Sequence, residues 1–166
     1  MVAIEAQRRR THPTVGGYRL CAVDLDARPA AVIRVRPAHA ALAGRLPGLI
    51  RRLDGELQRQ QRPAVSSLFV RHIRAASGAQ VELGYLVHEP IEDSGEVVAS
   101  GLPGGPAIMA LDVRPDELED AHDALWQWLS VRGFQPSAAG WQCLRDVPAA
   151  GLEHAIVDIV MPYRWR

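Results

Sequence analysis

Two carboxylates interrupt apolar segments of this sequence and could take part in chemistry. Glu82 lies within QVELGYLVH and Asp158 within HAIVDIVM. An isolated acid on a half-buried strand usually points to solvent, which is the first interpretation of both residues. A buried carboxyl would instead have a raised pKa, because desolvation penalises its charged form. Either residue could then anchor a cationic ligand or act as a general acid.

Histidine and cysteine are not arranged for metal binding or nucleophilic catalysis. The six histidines are scattered, and although His72 and His88 could face one another across a hairpin, no third ligand lies nearby in sequence. Cys21 and Cys143 are far apart, which favours a reducing compartment over a disulfide framework. The sequence lacks lysine and the motifs GxSxG, HExxH, CxxC and GxGxxG. We therefore expect no metal and no cofactor.

A few aromatic residues could contact a planar ligand. Phe69, Tyr85 and Trp141 lie on predicted strands, where a ring can line a pocket. Trp126 and Trp128 lie near the apolar stripe of a predicted helix, where core packing explains both.

The composition is that of an ordinary globular domain of 166 residues, with 48% hydrophobic and 23% charged residues. The formal net charge is zero, so no general attraction to nucleic acid or to an anionic membrane is expected. No apolar run reaches the length of a membrane span, and no signal-peptide pattern is present. These features predict a cytoplasmic protein that binds neither nucleic acid nor membranes directly.

A strand followed by a helix occurs twice. Residues 28–37 (RPAAVIRVRP) align with residues 105–115 (GPAIMALDVRP) when one residue is inserted. The first copy is followed by an apolar helical stripe beginning near Pro47, and two further strands follow each helix. This order predicts an α+β fold of tandem βαββ repeats related by a pseudo-two-fold axis, with an antiparallel sheet and two main helices.

The expected boundaries follow from this repeat. Residues 1–17 are expected to be a flexible lead-in, and residues 18–166 to form a single domain, with half one at about 18–90 and half two at about 102–163. Gly84 inside a predicted strand indicates a bulge or a close approach by a neighbour. The junction of the two halves is the expected place for a ligand cleft.

Several segments in this order resemble the gyrase-inhibitor-like (GyrI-like) effector-binding domains found in bacterial transcription activators. They are Leu102-Pro103-Gly104-Gly105, the helix with Ala124-Leu125 and Trp128-Leu129, Gly133, the strand Gly140-Trp141-Gln142-Cys143-Leu144, and the tail of residues 158–162. The resemblance covers about nine-tenths of the chain. It implies the tandem βαββ fold and the binding of small, often lipophilic and cationic molecules in a cleft between the halves.

The resemblance also implies a ligand site. Gln142 stands where the family has a glutamate, and Leu144 where it has a tyrosine. Gln142 can exchange hydrogen bonds but cannot ionise, so it supplies neither the negative charge nor the catalytic carboxyl. The predicted ligand-contacting residues are Gln142 as polar anchor, with Tyr85, Leu144, Phe69, Trp141, Glu82 and Asp158. Strand alternation places Gln142 and Leu144 on the face opposite Trp141, so Trp141 is the first to leave this set.

The preferred function is non-catalytic binding of a small lipophilic or aromatic molecule, cationic or neutral, by a stand-alone ligand sensor or an effector-binding protein of transcription regulation. The loss of the family glutamate argues against an enzyme. Two alternatives remain open: a small-molecule hydrolase with Glu82 or Asp158 as its carboxylate, and a protein-interaction module. A protein partner or a homodimer is compatible with each.

Overall fold

The computed structural model describes residues 7–11, 14–36, 39–76, 78–146 and 154–166, without the side chains of 7–11, 39–43, 75 and 146. These residues form two compact units, unit 1 with residues 27–102 and unit 2 with residues 7–26 and 103–166. In chain order the elements are β1 (Gln7–Thr11), β2 (Arg19–Leu25), β3 (Arg28–Val35), α1 (His39–Arg59), β4 (Phe69–Ala75), β5 (Gly78–Leu86), β6 (Val97–Leu102), β7 (Gly105–Val113), α2 (Leu118–Val131), β8 (Phe134–Pro136), β9 (Trp141–Asp146) and β10 (Ile156–Trp165).

Unit 1 is an antiparallel sheet in the order β4-β5-β3-β6 with α1 on one face. Leu46, Leu49, Leu53 and Leu57 recur at helical spacing and are all buried, so this stripe packs the helix against the sheet. α1 begins at His39, whereas the sequence predicts a start near Pro47. Proline is common in the first turn of a helix, but here it lies inside one.

Unit 2 is an antiparallel sheet in the order β1-β2-β7-β10-β9, with the short β8 also paired to β10. α2 buries its apolar stripe, and its Trp128 ring lies 5.6 Å from the Tyr163 ring of β10. Burying the stripe removes apolar surface from water, which is the main stabilising term for such a helix. Among the residues the structure describes, no helix is long and apolar enough to cross a membrane.

Each unit contains the predicted order strand–helix–strand–strand, which confirms the α+β fold class with antiparallel sheets and two main helices. The expected boundary of half one differs. Residues 18–90 would include β2, but β2 pairs along its whole length with β7 of unit 2. Only Asp26 and Ala27 separate β2 from β3, a spacing that usually makes a hairpin, so local sequence rules favour the wrong partner.

The predicted flexible lead-in of residues 1–17 contains a strand. β1 pairs antiparallel with β2, with Thr11 opposite Cys21. The pairing satisfies backbone groups that β2 would otherwise present at a sheet edge. Residues 1–6, 12 and 13 lie outside the described residues.

Gly84 marks a close approach of two strands. A Cβ added to Gly84 would lie 2.2 Å from the Ala31 carbonyl oxygen and 2.6 Å from Val32 Cγ1, both on β3. Neither atom is the end of a flexible side chain that could move aside. The sheet of unit 1 therefore requires glycine at this position.

We expect Gly84→Ala to lower the free energy of unfolding by about 3 kcal/mol, because the methyl group forces β3 and β5 apart. The matched control is Gly55→Ala in α1, where no atom lies within 4 Å of an added Cβ. It should raise stability by up to about 1 kcal/mol through helix propensity. Urea unfolding of both variants tests this, and equal stabilities would contradict the close approach.

Candidate functional site

The predicted site residues of unit 1 divide between the two faces of its sheet. Phe69 and Glu82 lie on the same face, because Phe69 pairs with Gly84 and side chains alternate along β5. Tyr85 lies on the opposite face, where Asp54 of α1 is close to its hydroxyl. Burial and Asp54 raise the Tyr85 pKa. We call the sheet face opposite a unit's helix its distal face. Glu82 and Phe69 are on the distal face of unit 1, and Tyr85 is not.

Glu82 is buried, with 1% of its surface exposed, so the expectation that it points to solvent is wrong. Arg34 Nε donates to Glu82 Oε1 at 3.1 Å, and Arg71 Nε donates to Oε2 at 2.9 Å. Arg71 Nη2 also donates to Oε2, and Ser100 Oγ donates to Oε1 at 3.1 Å. Four protein donors therefore occupy the acceptor positions of the carboxylate.

This Glu82 cluster (Glu82, Arg34, Arg71 and Ser100) joins all four strands of unit 1. Arg34 and Arg71 stand directly opposite Glu82 on β3 and β4, and Ser100 belongs to β6. The Arg71 side chain is 12% exposed and the Arg34 side chain 42% exposed. Two guanidinium groups face one carboxylate, so the cluster carries a net charge of +1.

Asp158 is the corresponding buried acid of unit 2, with 9% of its surface exposed, so it also does not point to solvent. Its Oδ1 accepts the Asp112 backbone N–H at 3.0 Å, and Arg145 Nε lies 3.4 Å from Oδ2. Burial raises the Asp158 pKa, while the Asp112 N–H and Arg145 oppose the rise. Asp112 has a φ of 57°, and its own carboxylate binds Arg19 and Arg145.

The predicted residues of β9 alternate as the sequence indicates. Trp141 and Cys143 lie on the face of Asp158, since Cys143 pairs with Asp158. Gln142 and Leu144 lie on the other face, Gln142 opposite Ile159. Ile159 and Tyr163 share a face by the same alternation, and Tyr163 contacts α2. Trp141 and Asp158 are therefore on the distal face of unit 2, and Gln142 and Leu144 are on the helix side.

Trp141 and Cys143 are both buried on this distal face. The Trp141 indole nitrogen makes no hydrogen bond of normal geometry with the described residues. Burial, and then Asp158, raise the pKa of Cys143 to about 12, while a contact with Trp141 opposes the rise. Cys143 is thus a protonated thiol at neutral pH and a poor nucleophile.

Arg34, Arg71 and Ser100 are the site residues that sequence reasoning missed. Arg34 interrupts AAVIRV and Arg71 interrupts LFVRHI, just as Glu82 interrupts its own strand. Isolated charges of opposite sign on strands of one half are a signal for a buried ion pair. Among the described side chains, no group of three or more histidine, cysteine or acidic residues could hold a metal ion.

We expect Glu82→Gln to lower the free energy of unfolding by at least about 3 kcal/mol, because it leaves buried Arg71 without a counter-charge. Glu96→Gln is the matched control, since Glu96 pairs with Arg52 at the surface and both side chains are more than half exposed. Its cost should stay below about 1 kcal/mol. Urea unfolding at neutral pH measures both, and a Glu82→Gln cost as small as the control would contradict the cluster.

Asp158→Asn should change how stability depends on pH. Burial raises the pKa of Asp158 in the folded state above the unfolded value of 3.8. The stability that this residue contributes is therefore fully present below pH 3.8, where the carboxyl is protonated in both states. This contribution is lost as pH rises through the folded-state pKa. The unfolding free energy of the wild type minus that of Asp158→Asn should therefore fall with rising pH, by at most about 1.4 kcal/mol per pH unit. Denaturant unfolding from pH 3 upward measures the difference, and a constant or rising difference would contradict the raised pKa.

No protein family and no curated protein sequence matches the chain, but solved structures do. The C-terminal domain of EcmrR aligns with a TM-score of 0.69 at 14% identity, over 90% of this chain and 99% of that domain. EcmrR in a complex with DNA aligns with a TM-score of 0.67 at 15% identity over 90% of this chain, which spans 58% of the EcmrR chain.

Two further structures share the fold. A hydrolase from Listeria innocua aligns with a TM-score of 0.60 at 9% identity, over 87% of this chain and 91% of the hydrolase. SAV2435, solved with bound tetraphenylphosphonium, aligns with a TM-score of 0.51 at 14% identity, over 89% of this chain and 93% of SAV2435. The chain therefore has the GyrI-like fold that its sequence predicts.

Proposed function

We propose that this protein binds a small lipophilic or aromatic molecule without catalysis, as a ligand sensor or effector-binding protein of transcription regulation in the cytoplasm. The observation that carries the proposal is the fold, shared over nearly the whole chain with the C-terminal domain of EcmrR. One structural neighbour supports ligand binding, and another supports a role in transcription regulation. SAV2435 was solved with a lipophilic ion, and EcmrR was solved on DNA. A small-molecule ligand is the proposed partner, together with a regulatory protein or a second copy.

The chemistry of the distal faces argues against Glu82 and Cys143 as catalytic groups, because Glu82 is held by four donors and Cys143 is protonated. Phe69 and Trp141 lie on these faces but are buried, so their ligand contacts stay a prediction. A saturated carboxylate and a protonated thiol offer no nucleophile or base. Gln142, Leu144 and Tyr85 lie on the helix side, and their ligand contacts stay a prediction, as does the cleft between the halves.

A second candidate, hydrolysis of a small electrophile, rests on Asp158. Burial raises the pKa of this carboxyl, which is the direction that favours a general acid, and the Listeria neighbour is named a hydrolase. Glu82 is the weaker choice, because its acceptor positions are filled. If the protein turns over a chromogenic ester, Asp158→Asn should abolish turnover. Glu82→Gln should lower the free energy of unfolding, while the protein that stays folded keeps its turnover rate. Turnover unchanged in Asp158→Asn would exclude this candidate.

Binding predicts that a panel of neutral, cationic and anionic aromatic compounds contains members that raise the melting temperature. A ligand at 100 times its Kd stabilises the folded state by about 2.7 kcal/mol, a shift of several degrees for a domain of this size. Differential scanning fluorimetry measures the shift. No shift with any compound up to its solubility limit would contradict the proposal.

The role of Gln142 can be tested in the same assay. Gln142→Glu should increase the shift caused by cationic compounds, because it restores the charge that the family carries at this position. Gln127→Glu on the exposed surface of α2 adds the same charge elsewhere and should leave the shift unchanged. Equal responses of the two variants would remove Gln142 from the site.

A further inference from the structure

The Glu82 cluster holds more positive than negative charge on the face where Phe69 lies, and this bears on which ligand the proposed function would use. The inference rests on that function. We propose that the ligand is a lipophilic anion, such as an aromatic carboxylate or sulfonate, and that the Arg34 guanidinium binds its acidic group. This is the charge opposite to that of tetraphenylphosphonium, the ion bound to SAV2435.

Glu82 cannot anchor a cation while the cluster is intact. Its two oxygens already accept from Arg34, from Arg71 twice and from Ser100. A ligand cation would have to displace one of these donors and lie beside two guanidinium groups. Like charges at close range in a partly desolvated site repel strongly. The buried acid is therefore not evidence of a cation site.

Arg34 is placed to bind an anion. Its Nε donates to Glu82 Oε1, but its two terminal nitrogens donate to no acceptor within the described part of the chain. The side chain is 42% exposed, so a ligand can reach it, and a guanidinium edge binds carboxylate or sulfonate through two parallel hydrogen bonds. Val98 and Ile73 are partly exposed on the same distal face and offer apolar contacts nearby.

The acids of unit 2 do not offer an alternative anchor for a cation. Asp158 is paired with Arg145, and Asp112 is bound by Arg19 and Arg145. Gln142 is neutral and cannot ionise. Each acid among the described site residues therefore has an arginine partner, while the Glu82 cluster keeps one arginine in excess.

Tetraphenylborate and tetraphenylphosphonium test the charge preference, because they have the same shape and opposite charges and neither accepts a hydrogen bond. Isothermal titration in sodium buffer, which keeps the borate soluble, should show tetraphenylborate binding the wild type at least about tenfold tighter. Arg34→Gln should reduce the borate affinity about tenfold and bring the two affinities close together. Arg34→Lys keeps the charge and should retain most of this preference, because neither test ion forms the paired hydrogen bonds that only a guanidinium can donate.

Arg51→Gln is the matched control, because it removes one exposed arginine of α1 away from the distal face and should leave the preference unchanged. Tighter or equal binding of the phosphonium by the wild type would overturn the inference and leave ligand binding intact. A borate preference that survives in Arg34→Gln would overturn the assignment to Arg34. Binding of neither ion, with no shift in the compound panel, would instead overturn the proposed function. Should Arg34→Gln fail to fold, the wild-type ratio still decides the charge preference, and Arg34→Lys decides its cause, because a preference lost while the charge is kept would show that the charge of Arg34 does not set it.

Discussion

The structure of unit 1 depends on a carboxylate, Glu82, that is buried in the centre of its sheet. Removing such a charge from water costs several kcal/mol unless donors surround it, as they do around Glu82. The donors come from three other strands, so they can meet the carboxylate only in one pairing register. Sliding any strand by one residue would turn its arginine or serine to the opposite face and leave the acid uncompensated. The Glu82 cluster thus fixes the register of all four strands, and β5 must also approach β3 closely enough to require Gly84.

Unit 2 also contains a buried carboxylate, Asp158, but stabilises it with different donors, as the alignment of the two repeats shows. Asp158 lies 76 positions after Glu82, close to the 77 positions that separate the starts of the two aligned segments at residues 28 and 105. With the inserted residue allowed for, Asp112 aligns with Arg34. An acid cannot neutralise another acid, so Asp112 offers Asp158 its backbone N–H instead. The register of β7 against β10 shifts at this point, and Asp112 takes a left-handed conformation that aspartate tolerates better than most residues. Its side chain is then left to bind Arg19 and Arg145.

Periodicity and turn residues were enough to predict two βαββ repeats, because local chemistry governs those elements. They were not enough for β2, whose short link to β3 indicates a hairpin while its partner is β7, 80 or more residues away. The predicted start of α1 near Pro47 was also wrong, because the helix continues through this proline. Packing of the buried leucine stripe offsets the backbone hydrogen bond that proline cannot donate. Glu82 and Asp158 stood out as isolated acids, but their burial depends on arginines that only the strand register brings to them. The predicted ligand contacts of the aromatic residues depend on long-range placement in the same way.

The charge selectivity of such a fold is set by the charges that its own side chains leave uncompensated. A buried acid with two arginines presents a cation to a ligand, although the residue that draws attention in the sequence is the acid. In the proposal, one arginine beyond electroneutrality sets the preferred ligand charge while every strand keeps its partner. Arg34 would then have two roles. Its Nε helps to fix the strand register around Glu82, and in the proposal its terminal nitrogens set the charge of the ligand.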